Sequence, residues 1–150
     1  MKYTILHLIS LNQTTLETTE LENEEVEKYL SDSLISYGIA QMNAEKPLKA
    51  YCSFKDKEGN IIGSIMGYKA SNLFFITQLY VEKRYRNNGY GYKLLSAIEN
   101  KAKSLGCNLL RLNTLNKKTM SLYTKAGFKK TNSITNYMDG FDLYYYHKNI

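Results

Sequence analysis

Residues 79–95 read Leu-Tyr-Val-Glu-Lys-Arg-Tyr-Arg-Asn-Asn-Gly-Tyr-Gly-Tyr-Lys-Leu-Leu, and few folds accommodate that order. The left end is rich in branched and aromatic residues and predicts a strand. The right end opens an amphipathic helix, and a glycine-containing loop, Arg86-Asn87-Asn88-Gly89-Tyr90-Gly91, lies between them. A strand turning through such a loop into a helix makes an anion site. The first N–H groups of the helix lack internal partners, and the macrodipole adds partial positive charge there. Gly89 and Gly91 have no Cβ, so a phosphate can come close to the backbone, and positive φ costs them little. Arg86 adds a planar, permanently charged fork suited to phosphate oxygens. The loop is therefore expected to hold a pyrophosphate. The dinucleotide fingerprint Gly-x-Gly-x-x-Gly does not fit this spacing, and the Gly-Lys-Ser/Thr of a P-loop is absent.

A chain of 150 residues with 43% hydrophobic content suits one globular domain over residues 1–150. No apolar run is long enough to cross a bilayer as a helix. Met1 to Leu11 carries one lysine and an apolar run broken by Thr4, His7 and Ser10, which reads as a strand rather than a signal peptide. Cys52 and Cys107 match no metal or disulfide spacing. They read as buried small residues in a reducing compartment, hence the cytoplasm, and no metal site is expected. The net charge of +6 is uneven: residues 1–45 hold two lysines against eight acids, and residues 46–150 hold eighteen Lys and Arg against six acids. A basic body suits a polyanionic ligand. The cations are scattered, without a helix-turn-helix, zinc-finger or RNP signature, which argues against nucleic acid.

Tyr3 to Leu11 predicts a first strand, and Thr19 to Glu22 a capping box. Val26, Leu30, Leu34, Tyr37 and Gln41 then recur at helical spacing. Gly38 is expected to split this region into two helices, with Pro47 ending it. Tyr51–Asp56 and Asn60–Lys69 predict a hairpin about Lys57-Glu58-Gly59, and Leu73–Val81 a third antiparallel strand. Leu94, Leu95, Ile98, Ala102 and Leu105 form the apolar stripe of the next helix, with Gly106 as its C-terminal cap. Cys107–Asn113 predicts a strand reached by a right-handed parallel crossover. A short helix over Lys117–Ala126 stops at Gly127, and strands follow at Phe128–Ile134 and Asp142–Lys148.

The pattern Arg-x-x-Gly-x-Gly after Leu79-Tyr80-Val81 resembles the coenzyme A loop of the GNAT superfamily of acyl-CoA-dependent N-acetyltransferases. Downstream, Asn116, Tyr123, Gly127 and Phe128 stand at the spacing of the second GNAT segment, Asn-x-x-Ala-x-x-x-Tyr followed by Gly-Phe, with Thr119 in place of the alanine. The resemblance covers roughly half the chain, from Leu73 to Phe128, in the family's order. It implies an α/β fold with a mixed central sheet: an antiparallel N-terminal meander, a parallel strand pair splayed around the cofactor, and about four flanking helices. It also implies acetyl-CoA as co-substrate. Leu79, Tyr80 and Val81 would present backbone groups to the pantetheine arm and acetyl carbonyl. The N–H groups of Arg86, Asn87, Asn88, Gly89, Tyr90 and Gly91 would cradle the pyrophosphate, and Asn116 would bond the pantetheine.

By the same resemblance, Tyr123 is the acid that serves the departing thiolate. A phenol is a weaker acid than a thiol by about 1.5 units, so a hydrogen bond that strengthens in the transition state is easier than full proton transfer. The alternative is an aromatic side chain packed on the sheet. Glu82, just past the central strand, is the best-placed carboxylate for a general base. Otherwise it is a solvated strand-end charge and water takes the proton. His7 and His147 have no motif partner. The acceptor pocket is expected from the acidic N-terminal helices and the tyrosine-rich segment 137–146.

The expected reaction is acetyl transfer from acetyl-CoA to a primary amine, of a small molecule, by direct attack in a ternary complex. No cysteine sits in either motif to carry an acyl group. Two alternatives share the fold: a non-catalytic acyl-CoA-binding module, and a toxin-like acetyltransferase acting on aminoacyl-tRNA. A homodimer is common in such families, and no residue here specifies one.

Overall fold

The computed structural model describes residues 9–11, 14–16, 23–42 and 46–150, which fall into two compact units divided after residue 42. In the first unit, β1 (Ile9–Leu11) pairs antiparallel with β2 (Thr14–Leu16). The rest of the strand expected from Tyr3 and the capping box at Thr19 lie outside the described residues. At the start of helix α1 (Glu24–Met42), Asn23 Oδ1 accepts the Val26 amide at 3.1 Å. Glu24, Glu25 and Glu27 in its first turn suit the helix dipole. It runs through Gly38 without a break, contrary to the two helices expected. A glycine costs a helix only about 1 kcal/mol and, unlike proline, keeps its N–H.

The second unit is a six-stranded sheet. Its strands are β3 (Leu48–Lys55), β4 (Ile61–Ala70), β5 (Leu73–Val81), β6 (Leu109–Thr114), β7 (Lys129–Met138) and β8 (Phe141–Asn149), in the spatial order β3-β4-β5-β6-β8-β7. All neighbours are antiparallel except β5 and β6. The mixed α/β sheet with one parallel pair is as expected. Among the described residues there are three α-helices rather than four, because α1 is undivided.

Helix α2 (Tyr90–Ser104) links β5 to β6 and packs on β3, β4 and β5. Its stripe of Leu94, Leu95, Ile98 and Ala102 is buried against Ile65, Phe74 and Leu110. At its C-terminus Gly106, at φ 79°, gives its N–H to Lys103, and Cys107 gives its own to Ala102. That is a Schellman motif, and the positive φ explains the glycine. Helix α3 (Met120–Lys125) follows a 3-10 turn over Lys117–Thr119.

Glu99 on α2 ties the helix to β8 by accepting from Lys148, and it also takes Lys103 at 2.9 Å. Burial pushes its carboxyl up, but the hydrogen bonds and charges of the two lysines outweigh that and hold it below the ordinary value. A depressed carboxyl stabilises the fold above its unfolded-state pKa, and that contribution is lost as pH falls through the folded one. Glu99→Gln is thus expected to cost about 1–2 kcal/mol near neutrality. The gap from wild type should close on acidification. Urea unfolding at several pH values measures this, and a gap independent of pH would assign the loss to packing.

Candidate active site

The sheet opens where its parallel pair ends. β5 and β6 pair only at Leu73↔Leu109, Phe74↔Leu110 and Phe75↔Arg111, and beyond that the two strands part. The backbone of β5 past Phe75, on the side away from β4, therefore has no strand partner. Between the strands lies a cavity of about 400 Å³ lined by residues 76–80 and 112–114 and by Tyr123. The parting coincides with a bulge. Met66 faces Gln78 and Gly67 faces Ile76, leaving Thr77 as an extra residue whose hydroxyl bonds the Met66 carbonyl at 3.3 Å. A Cβ at Gly67 would lie 2.3 Å from the Phe75 carbonyl oxygen and 2.6 Å from the Phe74 ring. Only glycine fits there. An isolated glycine inside a strand pattern signals a bulge or a close backbone approach, and Gly67 carried that signal in the sequence.

At the end of β5 a 3-10 turn over Lys83–Tyr85 leads into the glycine loop. Arg86 is folded back: its Nε donates to the Val81 carbonyl at 2.8 Å, and its guanidinium sits 5.4 Å from the Tyr80 ring centroid. One donor of the fork thus braces the strand–loop corner, and the terminal nitrogens remain for an anion. Asn87 takes φ 63°, which asparagine tolerates better than most residues. Asn88 Nδ2 closes the loop on the carbonyls of Tyr85 and Arg86. Gly89, at φ 80°, begins α2 with no side-chain cap, and the first bond of the helix runs from the Lys93 amide to Gly89. The N–H groups ahead of Lys93 are the ones a helix cannot satisfy itself, which suits a phosphate. Tyr90 turns its ring to Phe54 and Tyr85. Gly91 has a packing reason besides the expected one, since a Cβ there would stand 3.2 Å from the Leu122 side chain.

The second segment supplies the opposite wall. Asn116 Oδ1 caps the 3-10 turn through the Lys118 amide at 2.9 Å, which leaves its side-chain NH₂ as the group able to meet a ligand. Tyr123 is 7% exposed. Behind it α3 ends in a second Schellman motif, with Gly127 at φ 86° and the Phe128 amide on the Tyr123 carbonyl at 3.0 Å. The Phe128 and Tyr146 rings lie 6.1 and 5.6 Å from the Tyr123 ring. The Gly-Phe pair thus locks the backbone and ring of the tyrosine before it. Burial pushes the Tyr123 phenol up, a hydrogen bond with Thr119 pulls it down, and Tyr146 raises it; the net position is above the ordinary phenol. A phenol so placed stays protonated and can donate.

Of the residues singled out in the sequence, Leu79, Tyr80 and Tyr123 line the cavity together. Glu82 lies outside its lining, with its carboxylate on Arg84 Nε at 3.2 Å. Thr77 and Thr114 line the cavity too and were not singled out in the sequence. No group of three His, Cys, Asp or Glu among the described residues could hold a metal ion. No described helix is long and apolar enough to cross a membrane.

The Acetyltransferase (GNAT) family pattern matches residues 13–128. The chain belongs to that family. It is 24% identical over 116 residues to acetyltransferase Atu2258 of Agrobacterium fabrum strain C58, a match covering 77% of this chain and 85% of that protein. The crystal structure of an acetyltransferase from Bacillus cereus ATCC 14579 superposes with a TM-score of 0.77 at 24% identity, covering 89% of this chain and 97% of that one. An aminoglycoside 6'-N-acetyltransferase complexed with coenzyme A gives a TM-score of 0.62 at 17% identity, covering 85% and 92%.

Proposed function

We propose that the protein transfers an acetyl group from acetyl-CoA to a primary amine of a small molecule by direct attack in a ternary complex. The observation that carries this is the cavity between β5 and β6, with Tyr123 on one wall and the unpartnered edge of β5 on the other. When bound, acetyl-CoA supplies the activated acyl group. The α2 N-terminus and the Arg86 terminal nitrogens hold its phosphates, and the Asn116 side-chain NH₂ meets the pantetheine. N–H groups of the β5 edge polarise the acyl carbonyl and stabilise the charge it gains in the transition state. Tyr123 donates to the departing sulfur. Glu82 lies outside the cavity lining, so in this reading water takes the proton of the acceptor ammonium. The small-molecule acceptor is read by analogy with the aminoglycoside 6'-N-acetyltransferase that shares the fold. The free thiols Cys52 and Cys107 suit a reducing cytoplasm.

Isothermal titration with acetyl-CoA tests the cofactor assignment. Wild type should bind, and Gly89→Asp should lose at least about tenfold in affinity, because it strains a φ of 80° and puts a carboxylate where the phosphates sit. Arg86→Ala should weaken binding too. Thiol release across a panel of amines then identifies the acceptor. A folded wild type that binds no acetyl-CoA would overturn the reading.

A further inference from the structure

Side chains alternate along β6. Leu110 and Leu112 are buried in the core that α2 covers, so Arg111 and Asn113 stand on the opposite face of the sheet, both exposed. Arg111 faces Phe75 in the last pair that β5 and β6 make, and it stands opposite His147 of β8. His147 in turn stands opposite Lys129 of β7. Residues paired across a sheet share a face, so Arg111, His147 and Lys129 form one row at the closed end of the parting. Asn113, two residues and about 7 Å further along β6, lines the cavity.

This row lacks a counter-charge. Strands β3 to β8 carry one carboxylate, Asp142, and it stands on the α2 side with Tyr144. There it accepts the Tyr144 hydroxyl at 2.9 Å and meets Lys117 at 3.6 Å. Among the described residues no ion pair engages Arg111, His147 or Lys129. Like charges in register repel, so the row is not explained by stability. Cations gathered beside a cleft do raise the local concentration of an anionic ligand. The guanidinium of Arg111 is permanently charged, and its fork matches a carboxylate or a phosphate.

We propose that Arg111 binds an anionic group of the acceptor, which makes the acceptor a primary amine that also carries a carboxylate or a phosphate. This rests on the reading of the cavity as the acetyl-transfer site. With the anion on Arg111, the amine extends past Asn113 into the cavity. Coenzyme A is itself an anion, but its phosphates belong at the α2 N-terminus, and Arg111 stands on the face away from α2. A polycationic amine would meet repulsion from the row.

Thiol release by the full chain at saturating acetyl-CoA tests this with amines matched in carbon number. 4-Aminobutyrate and 6-aminohexanoate are set against butylamine and hexylamine, O-phosphoethanolamine against ethanolamine, and spermidine serves as the polycation. kcat/KM should be at least about tenfold higher for an anionic amine than for its uncharged-tail counterpart. The pair with the larger ratio tells carboxylate from phosphate. Arg111→Gln should bring that ratio to about one by raising KM for the anionic amine. Equal kcat/KM within every pair, a preference for spermidine, or an Arg111→Gln enzyme that keeps the wild-type ratio overturns the proposal. So does acetyl-CoA binding without turnover of any anionic amine. A folded wild type that binds no acetyl-CoA would instead remove the underlying reading, which separates the two failures.

Discussion

Replacing Tyr123 by phenylalanine is expected to lower kcat about a hundredfold, the low end of what a positioned acid contributes. The substitution removes one oxygen and keeps the ring that packs on Phe128 and Tyr146. The nearby Thr119 hydroxyl bonds the Asn116 carbonyl and Thr114, so the substitution leaves it paired. Stability and acetyl-CoA affinity should therefore change little, and the loss should fall on kcat. The donor acts only as sulfur gains charge, so it contributes to the transition state and not to ground-state binding. Single-turnover kinetics isolates the chemical step from product release. A Tyr123→Phe enzyme with wild-type single-turnover rates would return the residue to a packing role.

Gly67→Ala is expected to cost about 3 kcal/mol, a large part of a domain's total stability. In an ordinary strand the same change would help by about 0.5–1 kcal/mol, because glycine gives up more backbone freedom on folding. The sign is set here by the 2.3 Å approach to the Phe75 carbonyl. That atom is backbone, and the nearby Phe74 ring is fully buried, so neither can yield cheaply. The strand must shift or the bulge at Thr77 must be lost, and either disturbs the parting of β5 from β6. Denaturant unfolding measures the first effect and acetyl-CoA titration the second. Wild-type stability in Gly67→Ala would mean that the bulge is not held by that contact.

The residues most legible in the sequence were those whose structure rests on near neighbours. The stripe of α2, its glycine stop, the turn from β5 into α2, and the spacing of Asn116, Tyr123, Gly127 and Phe128 all follow from contacts within a few positions along the chain. Propensity, capping and period report on such contacts directly. Gly38 misled because the same residue that punctuates a turn is tolerated, at small cost, inside a helix. Glu82 stood out because proximity in sequence to the central strand says nothing of the direction in which a carboxylate turns.

By itself, then, the sequence determined the order of elements, the anion-suited loop, the buried face of α2 and the tyrosine one turn before a glycine stop. Tertiary structure alone decided that β5 and β6 separate after Phe75, that Gly67 admits the extra residue Thr77, and that Tyr146 reaches Tyr123 from β8. It also folded Arg86 back on Val81 and brought Lys148 to Glu99. The first group depends on spacing within one segment, which any chain carries in its residue order. The second depends on register between strands distant in sequence, where a shift of one residue turns every side chain to the other face.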